Sequence, residues 1–253
     1  MKRIALVGVT GIDWWKSEKK RRFIENLTPT GYEISNFYCN YGTHSVESHA
    51  DEAYNAPFIL EQIVAASVQG YDGIVIDCAC DPILDAAREV SDIPVVGPMQ
   101  VSLHLALTLG RTIGIVTVEG KSLAKCMESQ VRQEGLDAFF AGIEAIDLPV
   151  LEISETPRRA ENELMTRAHS LIEKGADVIV LGCTGLSHEV DLDRIMKGTG
   201  VPVLDPLVVG LRMVVLLIES GLSHSKLAYP NPPKKPIVED PSLKGSFDDI
   251  LRE

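Results

Sequence analysis

The sequence predicts an α/β protein of two pseudo-symmetric lobes, each a roughly four-stranded parallel sheet flanked by helices, with a candidate site in the cleft between them. Three observations carry this expectation. Apolar bursts of strand length alternate with longer stretches of helical period. Three segments recur in the same order in the two halves of the chain. Finally, 253 residues at 45% hydrophobic content are enough to fill two cores.

Met1, Lys2 and Arg3 lead straight into a first strand over residues 4–9, without the apolar stretch and small-residue cleavage site of a secretory leader. A helix is expected over 16–27, with the basic run 16–22 as its solvated face. Trp14 and Trp15 precede it and either line the cleft or anchor that helix. After a strand over 33–38 comes a polar loop in which His44 and His49 flank Glu47, both histidines being expected at the surface. A helix over 57–69, a strand over 73–77, a helix over 83–90 and a short strand over 95–97 complete the first half. The second half reads alike. Its strands are expected over 113–118, 141–146, 178–182 and 201–204, and its helices over 101–109, 122–133, 158–174, 192–196 and 208–219. From Ser220 periodicity fades and Pro230, Pro232, Pro233 and Pro236 accumulate, so the tail should wrap one lobe as extended chain.

The repeat is visible without gaps. Gly70-Tyr-Asp-Gly-Ile-Val-Ile-Asp-Cys78 aligns with Gly175-Ala-Asp-Val-Ile-Val-Leu-Gly-Cys183. Ile93-Pro-Val-Val-Gly-Pro98 echoes Val201-Pro-Val-Leu-Asp-Pro206, and Ile4-Ala-Leu-Val-Gly-Val-Thr-Gly11 echoes Ile113-Gly-Ile-Val-Thr-Val-Glu-Gly120. A duplicated βαβα unit follows, with one lobe expected from 1–98 plus 206–253 and the other from 99–205.

Lys and Arg total 24 against 36 Asp and Glu, a formal charge of -12, and no basic cluster is dense enough to track a phosphate backbone. Nucleic acid is therefore not an expected partner. No apolar run approaches the roughly 20 residues needed to span a bilayer, so a cytoplasmic protein is expected. Five cysteines in a chain of this size argue for free thiols rather than a disulfide framework.

Cys78 and Cys183 end equivalent strands, and in open parallel sheets ligands sit beyond the carboxyl ends of the strands. Two lobes facing each other would bring these thiols to one cleft from opposite sides. Inverting a stereocentre without a cofactor needs one acid/base group per face. A thiol suits the task because its pKa can be lowered toward neutrality at a helix N-terminus, where peptide N–H groups also stabilise a developing enolate.

At these motifs the chain resembles the aspartate/glutamate/hydantoin racemase superfamily, and most of all its hydantoin and allantoin racemase branch. The resemblance rests on Gly42-Thr-His-Ser-Val-Glu-Ser48, Cys78-Ala-Cys-Asp-Pro82 with Leu84-Asp-Ala-Ala-Arg88, Ala145-Ile-Asp-Leu-Pro-Val-Leu151, Leu181-Gly-Cys-Thr-Gly185 and Gly221-Leu-Ser-His-Ser-Lys226. It implies Cys78 and Cys183 as the catalytic pair. It also implies Thr10, Ser45, Cys80, Asp81, Thr117, Thr184 and Gly185 as residues that hold a small-molecule substrate, with no cofactor, no metal and a homo-oligomer. The chain departs from the branch in three places. Its first turn reads Gly8-Val-Thr-Gly11 in place of an Asn-Pro-Asn-Thr type sequence. Asp77 and Cys80 replace the usual neighbours of the first cysteine, and Asp77 is expected to point away, since a carboxylate would raise a nearby thiol. Gly185 stands where glutamate racemases carry a histidine.

Other readings stay open. The same scaffold supports a decarboxylase or a maleate isomerase that uses one cysteine to protonate or to attack, and Cys78 with Cys80 would suit a thiol sensor. Zinc at Cys-x-Cys lacks a matching second pair. His188 reads as a partly exposed residue at a helix start, with a local acid role as the alternative. Cys39 and Cys126 read as packing residues.

Overall fold

A computed structural model describes residues 1–11, 17–118 and 120–234; Trp14 and Trp15, Lys16 and Pro236 lie outside them. The first half contributes β1 (Lys2–Gly8), β2 (Tyr32–Phe37), β3 (Gly73–Asp77) and β4 (Val95–Val96), a parallel sheet in the order β2-β1-β3-β4. The second contributes β5 (Ile113–Thr117), β6 (Phe140–Ala145), β7 (Val178–Leu181) and β8 (Val203–Leu204), a parallel sheet in the equivalent order β6-β5-β7-β8. The registers repeat as well. Ile4 pairs with Gly73 and Ile74 with Val95 in one sheet, and Ile113 with Val178 and Ile179 with Val203 in the other. These are the same pairs under the sequence echoes, so the duplication extends to the hydrogen-bond ladder. β4 and β8 are only two residues long, which leaves little exposed edge for unwanted pairing.

The helices are α1 (Glu18–Leu27), α2 (His49–Val68), α3 (Leu84–Val90), α4 (Pro98–Leu109), α5 (Lys121–Gln133), α6 (Pro157–Glu173), α7 (Leu192–Thr199) and α8 (Pro206–Glu219). α4, α6 and α8 begin on proline, whose missing N–H is one of the helix's orphan donors in any case. α2 departs most from expectation, starting at His49 rather than at residue 57. Ser48 caps it, its Oγ accepting from the Asp51 backbone N–H at 3.2 Å. Pro57 then sits inside the helix on its exposed side, where the carbonyl it leaves unpaired, that of exposed Ala53, meets water.

One apolar core gathers Ile115, Val116, Met127, Leu164 and Val180 with Met99 and Leu103 of α4. The first sheet has a core on each face: Ala5, Val7, Ile59, Ile63 and Ile76 on one, and Ile4, Leu6, Val75, Leu207, Leu211 and Val214 on the other. α8, late in the chain, thus covers the sheet that opened it. The tail follows it onto the same lobe. His224 Nε2 accepts from the Val95 N–H at 2.8 Å, and Lys226 Nζ donates to the carbonyls of Arg88, Glu89 and Ser91 at 3.0, 3.0 and 2.8 Å. These bonds finish α3 and cover the edge of β4.

Candidate active site

β3 and β7 end at Asp77 and Leu181, and the next residues turn Cys78 and Cys183 into one cavity. Its walls include Val9, Val46, Leu123 and Val150, so both lobes contribute apolar surface. The cavity measures about 40 Å³, room for a few waters at most.

The two thiols have different surroundings. Cys183 is followed by a short helical turn, Thr184–Leu186, and the N–H groups of Gly185 and Leu186 point at its sulfur. A Cβ on Gly185 would lie 3.3 Å from that sulfur, so a glycine lets the backbone approach. Burial outweighs these amides and pushes the Cys183 thiol up to about 12, with the charges of Cys78 and Asp77 adding to the rise. Cys78 instead has the Cys80 thiol as a hydrogen-bond neighbour. That bond first, and burial second, hold Cys80 well above the usual thiol range, so Cys80 remains an S–H donor.

Thr10, Ser45, Cys80, Thr184 and Gly185 line the cavity with the two cysteines. The Ser45 hydroxyl donates to Glu47 at 2.6 Å, which leaves it an acceptor toward the cleft. Asp81 and Thr117 are placed elsewhere. The Asp81 carboxylate accepts from the N–H groups of Met99 and Gln100 at 3.0 and 2.7 Å, capping α4, and burial raises it to about 7. The Thr117 hydroxyl is fully buried and donates to the Gly182 carbonyl at 3.1 Å.

Three other expectations need correcting. Asp77 does not turn away: it lines the cavity, and its carboxylate is paired with the Lys20 ammonium. Lys20 is accordingly not on a solvated face but 2% exposed, since a buried carboxylate beside the site demands a counter-charge. His188 is buried rather than partly exposed. Desolvation, then the charge of Lys20, lowers it to about 4, so it is neutral near pH 7.

The matched family model is Asp/Glu/hydantoin racemase, which covers residues 20–214. The chain belongs to that family. A hydantoin racemase of Rhizobium meliloti is 40% identical over 190 residues, which are 74% of this chain and 78% of that one. An allantoin racemase from Klebsiella pneumoniae superposes with a TM-score of 0.87 at 31% identity, covering 99% of each chain. An arylmalonate decarboxylase variant shares the architecture at 15% identity (TM-score 0.66, covering 87% of this chain and 94% of that one), a likeness of fold alone. The racemase is thus an isomerase with a two-lobed α/β fold, and no helix among its described residues is long and apolar enough to cross a membrane.

The racemase also uses a residue that sequence reasoning missed. Asn55, fully buried in α2, donates from Nδ2 to the Val9 carbonyl and Thr43 Oγ1 at 3.0 and 2.8 Å, and accepts from the Thr43 N–H at 2.9 Å. It ties together the two loops that present Thr10 and Ser45. Those loops touch at Gly11, where a Cβ would fall 2.6 Å from the Gly42 nitrogen. With α2 expected to begin at residue 57, Asn55 looked like a loop residue.

Proposed function

We propose that this racemase inverts the acidic carbon of a 5-substituted hydantoin or related ureido ring such as allantoin, with Cys78 and Cys183 as opposed acid/base groups. The observation that carries the reading is the single cavity lined by both thiols. A carbon between a carbonyl and a nitrogen is acidified by enolate formation, so two thiols suffice without a cofactor. Cys183, raised by burial, rests as the thiol and delivers a proton. Cys78 as thiolate, accepting the Cys80 S–H, takes the proton from the other face. The C–H electron pair passes into the ring carbonyl as an enolate and returns to carbon when Cys183 protonates it. The resulting Cys183 thiolate accepts from the Gly185 and Leu186 N–H groups; after product leaves, loss of the Cys78 proton to water and uptake of one by Cys183, or the reverse reaction on the other enantiomer, restores the start.

The branch of the substrate rests on likeness to the Rhizobium meliloti and Klebsiella pneumoniae proteins. Both enantiomers of several hydantoins and of allantoin, incubated in deuterated buffer, should lose optical rotation and gain one deuterium at the stereocentre. Racemisation without solvent deuterium in the product, or a covalent thioether adduct, would overturn the two-base reading.

A further inference from the structure

α2 and α5 meet beside the cleft, across Cys80 from the paired thiols, and a mixed donor set gathers there. His49 opens α2 and Glu52 lies one turn on, on the same face; His49 Nδ1 is 2.8 Å from a Glu52 carboxylate oxygen. Cys126, buried in α5, places its sulfur 3.4 Å from the same ring nitrogen. All three donor atoms lie within 4.8 Å of one another. A tetrahedral ion with bonds of about 2.0 to 2.3 Å holds its ligand atoms roughly 3.3 to 3.7 Å apart, so small side-chain rotations seat one here.

The surroundings supply a second, independent sign. The cluster forms part of the wall of a cavity of about 680 Å³ that also takes in Asp85, Ser129, Gln130 and Glu134. Gln130 Oε1 is buried there with no hydrogen-bond partner among the described residues. A water on the ion's fourth position would donate to such an acceptor.

We propose that His49, Glu52 and Cys126 bind a zinc-like divalent cation that staples the first lobe to the second. Imidazole and thiolate select borderline-soft ions over magnesium or calcium, which prefer all-oxygen shells. Its bridging of α2 to α5 distinguishes it from a site within one lobe. A thiolate ligand must give up its proton to bind, so affinity tightens as pH rises.

Cobalt(II) is the probe, titrated into the reduced full-length protein. One equivalent should bind with a thiolate-to-cobalt absorption band in the near ultraviolet, and zinc should displace it and raise the Tm. Cys126→Ser should abolish the band, while Cys78→Ser and Cys183→Ser keep it. His49→Ala and Glu52→Gln alter residues in the first turn of α2, at little risk to folding, and should each weaken cobalt binding by about tenfold or more. The proposal is overturned if no equivalent binds, if the band survives Cys126→Ser, if it vanishes with Cys78→Ser, or if His49→Ala binds cobalt like the parent.

Discussion

The two halves of this racemase share a frame but fill its equivalent positions from opposite sides. Where β1 meets β3, the pair at the mouth of the cleft is Gly8 and Asp77; in the second half it is Thr117 and Gly182. A Cβ on Gly182 would collide with Thr117 at 2.6 Å, whereas one on Gly8 would meet only the Phe37 carbonyl oxygen and Tyr38 at 3.6 and 3.8 Å, so the small partner is required in the second half alone. The helix caps change sides too. α4 is capped by Asp81, reaching in from the loop after Cys78, and the residue before the helix is Gly97, whose Cβ would sit 2.7 Å from that carboxyl. α8 is capped by Asp205 at the position equivalent to Gly97, with Ser187 donating to its carboxylate at 2.6 Å. In the caps, duplication therefore conserves the hydrogen bond to the helix start, while the residue that supplies it changes sides. The outcome is chemical asymmetry: a thiol and an ion pair beside Cys78, peptide N–H groups beside Cys183.

The largest effect should come from the thiols themselves. Cys78→Ala and Cys183→Ala are each expected to lower turnover by about 10²- to 10⁴-fold in polarimetry, and full activity in either would end the equivalence of the two halves. Next comes the ion pair that only the first half has. Lys20→Met strands a buried carboxylate and should cost about 3 to 5 kcal/mol in chemical denaturation. Combining it with Asp77→Ala should recover most of that; a double mutant as unstable as the single would show that the pair matters for packing alone.

A smaller effect tests the cap exchange directly. Asp81→Ala should cost about 1 to 2 kcal/mol, and adding Gly97→Asp should restore much of it by recreating the α8 arrangement. Gly97→Asp alone should destabilise, because it meets the Asp81 carboxyl. If the double variant is worse than either single, the caps are not interchangeable. Smallest is the acid response of the tail, which only the first half carries. Desolvation, then Arg88, lowers His224 from 6.5 to about 4. The unfolded chain takes up that proton first, so stability falls as pH drops from about 6.5 toward about 4. Protection of the Val95 amide, the exchange rate divided out by its intrinsic pH dependence, should fall over that window, and the fall should disappear in His224→Gln; an unchanged protection profile would remove His224 from the tail's hold.

The central strands β3, β5 and β7 were legible because each is a buried apolar run, and three echoes reinforced one another. The cleft was legible for the same reason, since equivalent strand ends hold its cysteines. What stayed hidden depends on partners far apart in sequence. Lys20 sits in a basic run and looks solvated until Asp77, 57 residues on, is seen to neutralise it. Cys126 looks like filler until a fold crossing of 77 residues sets His49 against it. Asn55 was obscured locally, because Pro57 resembles a helix start and the Ser48 cap two turns earlier carries no apolar period.

The return of α8 to the first sheet sets an order on the ribosome. Val75 and Leu6 lack their cover until Leu207, Leu211 and Val214 have been synthesised, whereas the stretch that we propose as the inserted lobe, 99–205, carries its own core in one continuous piece. The half that is translated second is thus the first able to finish folding, and the half begun first waits, open on one face, until α8 has been made.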